Sequence, residues 1–204
     1  MMWNRLTNSS QNGNASSCAK LAILYLRIIM FVSVAIAIDA TNPEGENSEF
    51  FSACSGGEFA IVKTHLEKDP SLAHTTTKDG EHCLHLSALS GNTEIVQMLL
   101  DLDADPDIRS QWDQGLRMHP LSWSTFYGRY EIIELLLKHG ADVNADFDLG
   151  KNEGGEAEKG TVLDVIEQIL LGTDDKEEKE RFMKTRNILV KNGAARYASL
   201  EPEL

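Results

Sequence analysis

The strongest constraint on the fold of this chain is a repeat within its own sequence. When the sequence is aligned with a copy of itself shifted by 37 residues, many positions carry identical residues in phase. The identical positions include Leu84 with Leu121, Gly91 with Gly128, Glu94-Ile95 with Glu131-Ile132, Leu99-Leu100 with Leu136-Leu137, and Ala104-Asp105 with Ala141-Asp142. A shift of 34 residues reveals an earlier copy that aligns Gly57 with Gly91. A period of this length is typical of a solenoid, in which one small unit is stacked several times.

Each copy contains the same two predicted helices. The first is short and rich in small residues, and Gly91 or Gly128 ends it, as glycine commonly does at a helix C-terminus. The second has apolar residues at three- and four-residue spacing, which predicts amphipathic helices over 94–102 and 131–139. The repeated unit is therefore predicted to be a helix-turn-helix.

Two segments of the chain carry a family resemblance. DLDADPD and KHGADVNA, preceded by EIVQMLL and EIIELLL, resemble ankyrin repeats, whose unit of about 33 residues combines a β-turn with two helices. The resemblance implies an all-α solenoid of helix-turn-helix units joined by β-turn fingers. It covers residues 49–195 as units of about 49–77, 78–110, 115–147 and 159–195, and it leaves 196–204 as a C-terminal tail.

The fourth unit departs most from the pattern. Thr161 and Asp164 form a capping-box pair that predicts a helix start. No helix-breaking glycine follows at the usual position, so this helix is expected to continue to about Leu171. The run DDKEEKERFMKTRNILV predicts a long second helix with Asp174 as its N-terminal cap.

Residues 1–40 have the character of a targeting or anchoring segment. Residues 21–38 are apolar except for Arg27, and no acidic residue occurs before Asp39, which places the body on the translocated side of a membrane. A cleaved signal peptide, an uncleaved anchor that tethers the chain, and an organelle transit peptide all fit this segment. We expect a secreted or membrane-anchored chain with a linker over 41–48, and an organelle or cytosolic location is the alternative.

The charge of the chain argues against nucleic acid as a partner. The whole chain carries a net charge of −13, and because residues 1–38 hold three basic residues, the remainder carries −16. Such a body repels phosphate backbones. It instead suits a protein partner with a basic or mixed-charge surface.

The three cysteines are too few for a disulfide framework. Cys18 lies in the leader, whereas Cys54 and Cys83 lie in the body. Cys54 is predicted in mid-helix and Cys83 near a helix start. Because these are different positions in their repeat units, we do not expect the two to meet, and their redox state is left open.

The stretch EHCLH places His82, Cys83 and His85 within four positions, which would suit a metal site or an activated thiol. Metal ligands must converge, however, and consecutive residues around a helix start diverge. The ankyrin resemblance implies instead that His85 ties adjacent turns together and that Cys83 takes the place of a proline. We expect neither a metal nor another cofactor.

A second metal candidate lies in the segment NADFDLG. Asn144, Asp146 and Asp148 alternate as in a calcium loop, but the glycine and glutamate that an EF-hand requires are missing. The segment is also longer than the repeat consensus. We therefore predict that residues 146–159 form a flexible acidic insertion, and whether it binds anything is left open.

The best candidate for a binding surface is aromatic and basic. The ankyrin resemblance places the concave binding face on the first helices and the fingers, and Trp, Tyr and Arg are frequent hot-spot residues at interfaces. We predict a protein-binding surface formed by Arg109, Trp112, Arg117, Trp123, Phe126 and Tyr127. The alternative is that Trp123 or Phe126 only packs against the neighbouring repeat.

The sequence contains none of the common catalytic motifs, such as a P-loop, G-x-S-x-G, H-E-x-x-H or a Rossmann fingerprint. We therefore expect a monomeric, non-enzymatic protein-protein interaction module that is translocated across a membrane. The alternatives are a membrane-anchored ankyrin adaptor that keeps its leader and a metal-binding protein.

Overall fold

The computed structural model describes residues 47–77, 80–111, 117–151 and 157–200. The leader, including the apolar run 21–38, and Trp112 lie outside the described residues. The described chain forms helix pairs in the order α1 Ser48–Gly56 with α2 Phe59–Lys68, α3 Cys83–Ser90 with α4 Thr93–Asp101, α5 Pro120–Phe126 with α6 Tyr130–Lys138, and α7 Val162–Gly172 with α8 Lys176–Lys191. A 3₁₀ helix at Pro70–His74 follows α2, and a short helix α9 lies at Tyr197–Leu200.

The paired helices form two layers. The first helices α1, α3, α5 and α7 pack side by side in chain order as an inner layer, and α2, α4, α6 and α8 do the same as an outer layer. One apolar core runs between the layers, and its fully buried side chains include Phe50, Ile95, Leu121, Ile132 and Phe182. The predicted all-α solenoid of helix-turn-helix units is confirmed.

The boundaries of the helices follow from local capping. Gly91 and Gly128 adopt left-handed backbone conformations with φ of 87° and 62°, and each lies at the predicted end of an inner helix. The Asn92 side chain accepts a hydrogen bond from the N–H of Ile95 at 3.0 Å and starts α4. The helices α4 and α6 both begin and end one residue earlier than the apolar spacing predicted.

The start of the fourth unit is capped as predicted. The carboxylate of Asp164 accepts a hydrogen bond from the N–H of Thr161 at 2.9 Å, which completes the capping box. The helix α7 then continues without interruption to Gly172, one residue beyond the predicted end.

The cap of α8 differs from the prediction by one residue. The Asp175 carboxylate, not that of Asp174, accepts a hydrogen bond from the N–H of Glu178 at 2.8 Å. At the end of α7, the buried Thr173 hydroxyl donates to the carbonyl of Ile169 at 2.7 Å and satisfies that group of the last turn. The helix α8 starts at Lys176, one residue later than a cap at Asp174 would place it.

The expected flexible insertion over 146–159 contains a β-hairpin, which corrects the prediction. The strands β1 Phe147–Lys151 and β2 Ala157–Gly160 pair antiparallel. Phe147 anchors the hairpin because its ring is fully buried and stands edge-on to the ring of His119, with 5.7 Å between the ring centres. Burial of this aromatic side chain fixes the base of the insertion on the solenoid.

Candidate functional site

His85 braces the finger, the turn segment that joins its own helix pair to the next. Its Nδ1 accepts a hydrogen bond from the N–H of His82 at 3.2 Å, so the ring proton is on Nε2. Nε2 donates to the carbonyls of Ile108 at 3.0 Å and Met118 at 3.2 Å. Burial lowers the pKa of His85 to about 3, so the ring is neutral at physiological pH. The EHCLH stretch is therefore a structural joint, as the resemblance implied.

Equivalent joints recur in the next two units with other donors. The Nε2 of His119 donates to the carbonyl of Ala145 at 3.2 Å, while its Nδ1 accepts from the N–H of Ser122. The hydroxyl of Thr161 donates to the carbonyl of Ala195 at 2.7 Å. Burial lowers the pKa of His119 to about 4. In each of these three units, a side chain at the start of the inner helix holds the backbone segment that follows the helix pair.

A disulfide joins Cys54 in α1 to Cys83 in α3. The expectation that these two cysteines would not meet is wrong. Their Cα atoms are 5.4 Å apart and both side chains are fully buried. The two inner helices pack with an axial shift that sets the seventh residue of α1 beside the first residue of α3. The first repeat is therefore covalently attached to the second.

Arg109, predicted to face a partner, is engaged within the chain. Its Nη2 lies 3.0 Å from one carboxylate oxygen of Asp146, and the Nζ of Lys159 lies 2.6 Å from the other. The hydrogen bond from Lys159, reinforced by the charge of Arg109, lowers the pKa of the Asp146 carboxyl. This cluster connects one finger to the β-hairpin.

The aromatic residues of the predicted surface lie mostly in the core. Trp123 is 5% exposed and Phe126 is 3% exposed, which corrects their placement on an open face. The reason is the side-by-side stacking of inner helices, which brings the Trp123 ring edge-on to that of His85 in the preceding repeat. Tyr127 is half-buried and Arg117 is exposed. A role for the predicted residues in partner binding stays a prediction.

The calcium-like segment is held by contacts within the chain. The side-chain amide of Asn144 donates to the carbonyl of Gly193 at 3.1 Å and accepts from the N–H of Ala195 at 2.8 Å. Asp146 is occupied by the two ion pairs described above. Within the described ranges, no group of three or more His, Cys, Asp and Glu side chains is placed to hold a metal ion. The expected absence of a metal stays a prediction.

The structure contains a surface that the sequence did not indicate, which we call the outer groove. It encloses about 850 Å³ on the outer layer, with α4 between α2 and α6. Its apolar lining consists of Phe59, Leu66, Pro70, Met98, Leu102 and Leu135. Its acidic lining consists of Glu67, Glu94, Asp101 and Glu131. One feature of the sequence could have indicated this groove. Met98 and Leu102 are apolar and four residues apart, yet they do not belong to the buried positions of α4, so they are available to a second apolar surface.

The sequence of the repeated helix pairs matches that of a known protein family. A family model described as ankyrin repeats (three copies) matches the chain over residues 9–110 and 50–146. The chain belongs to the ankyrin repeat family. The two layers and the braced fingers are thus those of an ankyrin solenoid.

Several relatives share these ankyrin repeats over part of their length. The mouse ankyrin repeat and SAM domain-containing protein 6 is 33% identical over 103 residues, which cover 50% of this chain and 11% of the relative. The probable E3 ubiquitin-protein ligase XBOS31 of Oryza sativa subsp. japonica is 33% identical over 96 residues, covering 47% and 21%. The serine/threonine-protein kinase VIK of Arabidopsis thaliana is 33% identical over 81 residues, covering 40% and 18%. The chain thus matches about a fifth or less of each relative.

Ankyrin repeats are protein-interaction scaffolds. The open surfaces of this ankyrin solenoid include the finger side, on which Arg117 is exposed, and the outer groove. Across the part of the chain that the structure describes, no helix combines the length and apolar character needed to cross a membrane.

Proposed function

We propose that this ankyrin chain is a non-enzymatic protein-binding module that is exported across a membrane and is either secreted or held there by its leader. Membership of a scaffold family supports the binding role. The order of charge around residues 21–38, basic before and acidic after, supports export of the body.

The observation that carries the export proposal is the disulfide between Cys54 and Cys83. Both sulfur atoms lie in the core, between helices of two different repeats. Disulfides persist in oxidising compartments and are rare in the cytosol, where thiols are kept reduced. A buried cross-link within a repeat domain therefore fits a chain that folds after crossing a membrane.

The binding role is proposed without catalysis. Two relatives are named as a ubiquitin ligase and a kinase, but the similarity covers only 21% and 18% of their lengths. Similarity within the repeats alone therefore does not support assigning the ligase or the kinase activity of these relatives to this chain. The net charge of −16 over residues 39–204 supports a partner whose surface is basic or mixed in charge.

Export is tested by expressing the full chain with a C-terminal epitope and treating closed membranes with protease. We expect the body to be protected until the membranes are opened, or to appear in the medium. N-terminal sequencing then separates the two forms. A new N-terminus near Thr41, left by removal of residues 1–40, indicates a secreted protein, and an intact leader on a protected body indicates the anchored adaptor. A protease-sensitive body on sealed membranes would refute export.

A further inference from the structure

We propose that the outer groove binds a basic amphipathic helix of a partner protein. This inference rests on the proposed function as a protein-binding module and names the class of partner. It also assigns the binding to the outer layer of helices, away from the finger side that the sequence indicated.

The floor of the outer groove is apolar yet accessible. Phe59, Met98, Leu102 and Leu135 are each half-buried, although they pack against the core from the outside. An apolar patch that is rimmed by polar residues marks an interaction site on soluble proteins. Met98 also suits such a site because its side chain is unbranched and adapts to the shape of a partner.

The rim of the outer groove has one sign of charge. Its four carboxylates are exposed, and none of the lining residues that the structure describes is Lys, Arg or His. Among the ion pairs of the described residues, only Glu67 of these four takes part, with Lys63 at 3.8 Å. A cleft lined by like charges concentrates the field that attracts the opposite charge. The partner must therefore present Lys or Arg around its apolar residues.

The walls of the groove favour a helix over an extended peptide. An extended segment gains affinity by hydrogen bonding to an exposed sheet edge. The groove is walled by the helices α2, α4 and α6, whose backbone groups are already bonded within each helix. A bound segment must therefore form the hydrogen bonds of its backbone N–H and C=O groups within itself, as a helix does. The nine residues of α4 extend for about 12 Å, which accommodates roughly two turns of a partner helix.

A neighbouring groove provides an internal control. It encloses about 480 Å³ between α6 and α8 and is lined by Glu134 and Glu180 together with Lys184 and Lys191. Its mixed charge does not select a basic ligand. Glu134 and Glu180 are exposed like the acids of the outer groove, so equal charge changes can be made at either place.

The test measures binding of fluorescent model peptides to the chain as the expressing cells process it. One peptide is a Leu/Lys amphipathic helix, and its analogue replaces each Lys with Glu. We expect the Leu/Lys peptide to bind and the Leu/Glu peptide not to bind. The variant Glu94→Lys/Glu131→Lys should raise the Kd of the Leu/Lys peptide by about tenfold or more. The variant Glu134→Lys/Glu180→Lys should change that Kd by less than about twofold.

Equal losses in both double variants would mean that only net charge matters, and the inference would be overturned. It would also be overturned if neither variant weakens binding, if the two peptides bind alike, or if the Leu/Lys peptide does not bind. Circular dichroism and thermal melts confirm that each variant is folded, since all four positions are exposed.

Photo-crosslinking in the expressing cells separates this inference from the proposed function. A crosslinking amino acid replaces Gln97 in the outer groove or Arg117 on the finger side of the full chain. Capture through Gln97 of a basic amphipathic segment of another protein supports the inference. Capture of a partner only through position 117 would leave the protein-binding role intact and would overturn the proposal that the outer groove binds the partner. A crosslink from Gln97 to residues 21–38 of the same chain also overturns it, and capture at neither position counts against both proposals.

Discussion

At the scale of single residues, each finger is held by a hydrogen bond from a side chain at the start of the inner helix to a carbonyl of the finger. Which side chain donates that hydrogen bond differs between repeats. The resemblance implied this role for His85 but not for His119, because the repeat alignment places Ser122 at the equivalent position. His119 performs the same task because the first and fourth residues of this helix start contact each other, as the hydrogen bond between Ser122 and His119 shows. The joint is thus kept although its donor moves by three positions.

The two buried histidines predict acid sensitivity. Their folded-state pKa values of about 3 and about 4 lie below the unfolded value of 6.5, so the unfolded chain binds protons first as the pH falls. Stability is therefore full above pH 6.5 and declines as the pH falls towards 4. At pH 5 we expect His85 and His119 each to lower the free energy of unfolding by about 2 kcal/mol. Urea denaturation between pH 7.5 and 5 measures this loss.

A matched pair of variants assigns the acid sensitivity to the buried rings. His119→Gln removes one titrating group and should flatten the dependence of unfolding free energy on pH. His74→Gln, at an exposed position, should leave that dependence nearly unchanged. Constant stability of the unsubstituted chain between pH 7.5 and 5 would contradict the assignment of two neutral, buried histidines.

The burial of Trp123 predicts a structural effect. Because this side chain is 5% exposed, Trp123→Ala should lower the free energy of unfolding by about 3–5 kcal/mol through the cavity that it leaves. Arg117→Ala, at an exposed position, should change stability by less than about 0.5 kcal/mol. Chemical denaturation of both variants provides the test, and equal midpoints would show that Trp123 is not a core residue.

At the scale of helices, the sequence predicted local features better than contacts between helices. The apolar spacing of EIVQMLL and EIIELLL predicted the bounds of α4 and α6 to within one residue, because each segment contains the complete apolar face of its helix. The β-hairpin was missed because FDLGK and AEKG lack the β-branched residues that mark strands. The pairing of Cys54 with Cys83 was missed because it depends on the axial shift between α1 and α3, which no single unit encodes.

The disulfide predicts where the solenoid is reinforced. It joins cysteines 29 residues apart, so its removal should lower the free energy of unfolding by about 3–4 kcal/mol. In Cys54→Ala/Cys83→Ala, hydrogen exchange should quicken more in α1 and α2 than in α5 and α6, because a terminal repeat has a single neighbour. Cys18→Ser is the control and should behave like the unsubstituted chain. Uniform exchange rates in the double variant would contradict this view of the cross-link.

At the scale of the whole molecule, the repeat period was sufficient to predict the class of fold. Helix pairs that cannot bury their apolar faces alone must stack, and stacking fixes the two layers. The candidate binding surface could not be predicted in the same way. The outer groove forms only where three outer helices lie together, so its apolar floor and acidic rim come from three segments that are more than 20 residues apart in sequence. The sequence pattern instead indicated Trp123 and Phe126, whose burial follows from that same stacking.

The proposed export of the body rests on the disulfide that cross-links its first two repeats. The most direct measurement blocks free thiols at the moment of lysis and counts alkylated cysteines by mass spectrometry in the denatured chain, before and after reduction. We predict that Cys54 and Cys83 are unmodified before reduction and fully modified after it. Cys18 should be absent from a cleaved chain and alkylated at once in an anchored one. Immediate alkylation of both Cys54 and Cys83 would contradict the account, because the body would then be reduced where it resides.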